Sequence, residues 1–252
     1  MWVPRIRLPQ WAASSKAPVH VLLLGLGTLA VYAYGIGLLV GYKPAFDFWV
    51  REDSLVEWCT FALLVALIAR ATATHRFYRR SAGHRAASTI WLVLAVLFVF
   101  GALEEISYGQ RIIGFETPSF LIENASRGAD PFYNRQRELN VHNLIVLGVS
   151  VNRVVFGKLI SLFLWACFFA APVLYRRNPG FKRFMDRHGL PVIQNYQIIV
   201  YALVIVPDLL FPSAGKMPEL IEFGSSAVVL MVCLHPYNAA ALRGERMVGA
   251  CS

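Results

Sequence analysis

The sequence predicts an all-α, polytopic transmembrane helical bundle, and three observations carry that expectation. Of 252 residues, 57% are hydrophobic and only 15% charged, with a mean hydropathy of +0.52, a balance too apolar for a soluble domain of this length. The apolar residues gather in runs of about 20, the length that crosses a hydrocarbon core as a helix. The basic residues fall in the short connections between those runs. They form no single amphipathic face, so the formal charge of +9 and pI near 9.7 point to membrane topology and to no nucleic-acid partner.

Taken in order, the runs place six spans near 19–41, 54–71, 88–106, 154–175, 191–211 and 219–236, in one integral membrane domain covering 1–252. The first begins at Val19, is longer than a signal-peptide core and has no convincing cleavage site behind it, so it reads as an uncleaved span. Ser54 and Glu57 open the second with the spacing of a capping box. The stretch His142–Asn152 is apolar over too few residues to cross and reads as a short re-entrant or interfacial segment, within a loop 107–153 that carries most of the unusual polar residues. Cys59, Cys167 and Cys233 sit inside apolar runs and Cys251 in the tail, without metal-type spacing, so all four read as small hydrophobes.

Counting Lys and Arg by alternate connections gives 15 on the side of the N-terminus, the second and fourth loops and the tail, against 9 on the other. The positive-inside bias then predicts both termini in the cytoplasm. Of the 15 acids, 13 fall on the opposite side, leaving only Asp186 and Glu245 with the basic loops. The overall positive charge therefore hides an acidic outer face.

Those acids differ in how well helix physics accounts for them. Glu57 reads as a cap, and Glu219 and Glu222 follow Pro218 at a helix start, where the dipole favours carboxylates. Glu104 and Glu105 close the third span, where the dipole is negative and the last carbonyls already lack donors, so they need another stabilising group. Arg111 can serve if the helix continues, because Glu104, Ser107 and Arg111 then share one stripe with Tyr108 adjacent. Asp208, after Pro207, reads as a helix-end or turn residue.

A second polar cluster has a period of two: Asn134, Gln136, Glu138, Asn140 and His142 alternate with Arg135, Arg137, Leu139 and Val141. In an extended segment these five face one way; in a helix Glu138 meets His142 at i, i+4. Either geometry joins a carboxylate to an imidazole, the side chains of proton transfer and metal ligation. Between the clusters, Gly114 to Ile122 has turn residues and then an apolar patch, with Phe115, Phe120 and Phe132 as anchors for a loop lying at the boundary of membrane and water. The other histidines, His20, His75, His84, His188 and His235, read as interfacial.

At these residues the chain resembles a widespread family of uncharacterised bacterial polytopic membrane proteins with an E-E-I-S-W-G-Q-R … N-x-Q-x-E-x-N-x-H-N pattern. The likeness runs from Glu52-Asp53-Ser54-Leu55-Val56-Glu57-Trp58, through Glu104 to Arg111 with Tyr108 in the usual Trp place, to Asn134–Asn143, where Arg137 replaces an expected small residue. The resemblance implies a protein of the bacterial cytoplasmic (inner) membrane and brings no settled activity.

Three functions from different classes fit these residues. In the first, a membrane enzyme works at the outer face on a lipid or lipid-linked group. Its catalytic groups are Glu104, Glu105, Arg111, Glu138 and His142, and Glu105, Glu138 and His142 either hold one divalent metal ion or act as acid and base. Tyr108, Gln110, Gln136, Asn140 and Glu222 would then bind substrate. In the second, the chain is a structural or assembly subunit whose polar clusters meet membrane-protein partners or a second copy. In the third, Glu104, Glu105, Glu222 and Asp208 line the pathway of a proton- or cation-coupled transporter.

Overall fold

The computed structural model describes residues 17–51, 54–81, 83–119, 144–211 and 216–242. Helix α1 is Val19–Gly41, α2 Lys43–Trp49, α3 Leu55–Arg80, α4 Arg85–Glu105 and α5 Gln110–Ile113. Helix α6 runs unbroken through 152–177, with π-helical turns at Asn152–Ile160 and Ala166–Ala170. Helix α7 is Pro179–Arg187, α8 Asn195–Leu210, α9 Met217–Leu234 and α10 Ala239–Leu242. The strands β1 (Ile145–Val146) and β2 (Val149–Ser150) pair antiparallel across Leu147 and Gly148, both at positive φ (52° and 77°) as a two-residue hairpin turn requires.

Among the described residues, five helices are long and apolar enough to cross a membrane: Val19–Gly41, Leu55–Arg80, Arg85–Glu105, Lys158–Arg177 and Met217–Leu234. The apolar α8 is shorter, at 16 residues. The chain is thus an all-α membrane protein, and each of the six expected spans falls on a helix. Two boundaries differ from expectation. The span expected at 54–71 continues to Arg80, its last turn carrying Arg79 and Arg80 where cations complement the dipole. The span expected from 191 begins at Asn195, because Gln194 takes extended backbone and caps the helix. The segment after His142 forms the exposed hairpin, too short to cross.

Local capping follows the side chains. The Ser54 hydroxyl accepts the Glu57 N–H at 3.4 Å, and Asn178 accepts the N–H groups of Gly180 and Phe181 at 2.8 and 3.0 Å. Gln194 and Gln197 cap each other's backbone reciprocally at the start of α8.

Packing is organised around α9, whose buried residues point in every direction, whereas the other spans bury one stripe. On one side of α9 a core of Val21, Tyr32, Phe168, Tyr201, Val204, Leu220 and Met231 joins it to α1, α2, α6 and α8. On the other, Leu64, Leu67, Trp91, Ala95 and Leu230 join it to the α3–α4 pair. The buried stripe of α1 is Val21, Gly25, Thr28, Tyr32 and Gly35, whose small members Gly25, Thr28 and Gly35 let the helices approach closely. A Cβ on Gly224 of α9 would stand 2.6 Å from the Tyr32 ring. Large apolar side chains such as Leu23, Leu26, Val96 and Leu97 remain exposed on the outward faces, as a surface in contact with lipid tails requires.

Candidate functional site

Because neighbouring spans run in opposite directions, acids distant in sequence meet at one end of the bundle. The first turn of α3 brings Glu57, the last turn of α4 brings Glu104 and Glu105, and the first two turns of α9 bring Glu219 and Glu222. Glu57, Glu104 and Glu222 lie within electrostatic reach of one another, from three helices. Glu222 is solvent-accessible. Glu57, Glu104, Glu105 and Glu219 are half-buried.

Beyond Glu105 the helix breaks, and the expected stripe of Glu104, Ser107 and Arg111 on a continuing helix does not form. Ser107, Tyr108 and Gly109 take φ of 47°, 54° and 80°, three successive left-handed residues, before the short turn of α5. Only the glycine adopts this without strain, and such backbone persists where the surroundings enforce it. Ser107 is fully buried under the turn. The break swings Tyr108 back over α4, its ring edge-on to Phe100 at 6.3 Å. The Tyr108 hydroxyl is buried beside Glu104, near enough to couple to the carboxylate without being aligned to it as a hydrogen bond. Burial first, and then the Glu104 carboxylate, push the phenol pKa above its ordinary value, so Tyr108 stays protonated.

Gln110 holds the following loop: its Nε2 donates to the Phe115 carbonyl at 3.0 Å and to Thr117 Oγ1 at 2.8 Å. Its role in the structure is thus to shape the chain beside the acids. Phe115 is exposed. The backbone of Arg111 lies in α5, and its side chain is not among the described groups. Gln136, Glu138, Asn140 and His142, with the anchors Phe120 and Phe132, lie outside the described residues. Of the three expected metal ligands only Glu105 is described, and among the described residues no group of three or more His, Cys, Asp or Glu side chains is placed to hold a metal ion. Asp208 is exposed near the end of α8, as its reading as a helix-end residue anticipates.

The opposite end carries a polar network that the sequence reading passed over. His235, expected at an interface, is buried: Gln194 Nε2 donates to its Nδ1 at 2.8 Å and the Tyr196 hydroxyl lies 3.0 Å from the same nitrogen. Gln197, fully buried, donates to the Met231 and His235 carbonyls at 3.0 and 3.1 Å. Asn238 donates to Asp186 and to the Leu190 carbonyl and accepts the Val192 N–H, each at 3.0 Å. Lys182 reaches Asp186 and the Tyr175 hydroxyl, both at 2.8 Å. Desolvation opposes the Lys182 charge, but those two hydrogen bonds outweigh it and hold its pKa above the ordinary ammonium value. The signal in the sequence was a pair of glutamines three apart at the start of an apolar run. Every polar group named here finds a partner, and the network ties α7, α8 and α9 together.

Compared with protein-family models, curated proteins and solved structures, the chain matches none.

Proposed function

We propose that the chain is a multi-pass protein of the bacterial inner membrane, with both termini in the cytoplasm, whose acidic end is an acid/base site acting on a lipid or lipid-linked group at the outer leaflet. The observation that carries this reading is the convergence of Glu57, Glu104 and Glu222 from three helices at one end of the bundle, Glu222 solvent-accessible, with the Tyr108 hydroxyl beside Glu104. Carboxylates this close repel, so the cluster needs a compensating proton, cation or cationic group, which is the condition of a site that exchanges protons with a substrate. Glu104 and Glu222 act as base and acid, and Tyr108 donates to developing negative charge. Arg111, Glu105, Glu138 and His142, with Gln136 and Asn140, complete the site from the loop, and Glu105, Glu138 and His142 are the ligands for one divalent metal ion if the chemistry is metal-assisted. The Glu104–Arg111 and Asn134–Asn143 segments likewise support membership in the bacterial family they resemble.

Mass spectrometry of lipids and lipid-linked species from cells expressing wild type, Glu104→Gln, Glu222→Gln and His142→Ala tests the reading. A wild-type product that each variant reduces at least tenfold is expected, with metal content lowered in His142→Ala for the metal-assisted form. Lipids identical with and without the protein would overturn the enzyme. The accessibility of Glu222 favours a second reading, a proton- or cation-coupled transporter, and ion uptake into vesicles that responds to Glu104→Gln would establish it instead.

A further inference from the structure

The corner where α1 passes into α2 carries a groove that the acidic site does not use. Helix α1 ends at Gly41, Tyr42 is extended (φ −157°, ψ 90°), and α2 folds back so that a Cβ on Gly35 would stand 2.6 Å from the Trp49 ring. The glycine is therefore what lets α2 lie against α1. Between the two helices opens a groove of ≈ 490 Å³, lined by Tyr34, Leu38, Tyr42, Pro44, Ala45, Phe48 and Trp49. Tyr34 and Trp49 meet edge to face at 5.2 Å, and Tyr34, Tyr42 and Phe48 are all more than half exposed.

Two cations stand beside this apolar wall. The Arg51 guanidinium lies 4.0 Å over the Phe48 ring, and Lys43 bonds Asp47 at 2.6 Å while remaining half exposed. Stacking on Phe48 preorganises the planar guanidinium, which presents its donors as a fork suited to phosphate oxygens. Among the described residues of this rim the two cations outnumber Asp47 by one, on an end of the bundle otherwise rich in carboxylates. The groove also lies at the end of a span of 23 residues, the depth at which aromatic side chains sit among headgroups. Apolar aromatic walls with the Arg51 guanidinium and the Lys43 ammonium beside them match one molecule of the surroundings in both halves.

We propose that this groove binds one anionic phospholipid of the surrounding leaflet, its acyl chain against the aromatic wall and its phosphate against Arg51 and Lys43. The reading is independent of any chemistry at Glu104 and Glu222. It distinguishes this corner from the outward face of α4, where Leu92, Val96 and Leu97 are exposed.

Full-length protein in nanodiscs of phosphatidylcholine, containing trace phosphatidylglycerol with a photoreactive diazirine in its acyl chain, tests this by peptide mapping of the crosslinks. Labelling of the 34–51 peptide should exceed that of the α4 face at least fivefold. It should fall at least threefold when the probe is the zwitterionic lipid, and again in the variant Lys43→Gln/Arg51→Gln. Ala45→Trp should lower labelling by placing a large ring among the lining residues. The charge variant changes only exposed side chains, and an unchanged gel-filtration profile and melting temperature verify its fold. Equal labelling of groove and α4 face, or equal labelling by both headgroups, overturns the proposal. So would labelling of the groove by a second copy of the chain in place of lipid.

Discussion

Gln197 is the most informative single residue at the basic end, because it is fully buried, polar and satisfied on both sides of its amide. Its Nε2 serves carbonyls at the end of α9, and its Oε1 accepts the Gln194 N–H at 2.9 Å. Replacing it with leucine keeps the volume and strands those partners. A buried polar group left without its partner costs about 1–3 kcal/mol, against an average nearer ~0.6 kcal/mol for hydrogen bonds deep in a bilayer. The position at a helix start, outside the most apolar depth, favours the larger figure. Gln197→Leu should therefore lower the melting temperature in detergent by roughly 2–12 °C. A melting point within error of wild type would show that the network is not structural. The same residue illustrates what sequence can hide. A glutamine at the start of an apolar run reads as interfacial and solvated, and only the approach of α9 reveals that it is enclosed.

At the scale of elements, helix positions were legible and helix faces were not. Each run of about 20 apolar residues bounded by polar ones defines a span by length alone, and the six runs all became helices. Which side packs inward could not be read from polarity, because α1 presents Leu22, Leu23 and Leu26 outward and Val21, Gly25 and Thr28 inward, apolar or nearly so on both sides. Close helix contact, at Gly25 against Met231 and at Gly35 against Trp49, and not polarity, marks the inward face. The candidate site divides the same way. Glu104 and Glu105 stood out as carboxylates at the end of a span, whereas Glu57 read as a cap and Glu222 as an acid at a helix start, because their partnership with Glu104 exists only once α3, α4 and α9 are adjacent. The left-handed turn at Ser107 and Tyr108 was also hidden, since Gly109 and Gly114 alone announce it. A paired substitution tests this reading of the faces. On the inward stripe, Gly224→Ala would place a Cβ 2.6 Å from the Tyr32 ring and displace the hydroxyl that donates to the Leu220 carbonyl at 2.6 Å, costing about 1–3 kcal/mol. On the outward face of α1, Gly37→Ala meets nothing within 4 Å and should be neutral or stabilising by about 0.5–1 kcal/mol. Equal effects of the two on thermal unfolding would mean that α1 and α9 do not pack as described.

For the whole molecule, the charge asymmetry and the parity of crossings must agree, and each checks the other. Arg76, Arg79 and Arg80 lie in the final turns of α3, and Arg176 and Arg177 close α6, at the end of the bundle where the Tyr78 hydroxyl reaches the Leu242 carbonyl at 3.3 Å. The carboxylates of α3, α4 and α9 lie at the other end. An even number of crossings then leaves Val19 and Leu242 on one side, provided that the chain does not cross between Leu144 and Val151. The hairpin there supports this, since its tip residue Leu147 is 98% exposed and its strands are two residues each. If the basic end faces the cytoplasm, a lone cysteine at Leu147→Cys in a cysteine-free background should react with a membrane-impermeant maleimide in intact cells. One at His84→Cys, exposed in the turn between α3 and α4, should react only after permeabilisation. The reverse pattern would put the acids inside and remove an outer-leaflet substrate from consideration. Labelling of both positions from the same side would break the parity itself and require the chain between them to cross once more or once less than the six helices imply.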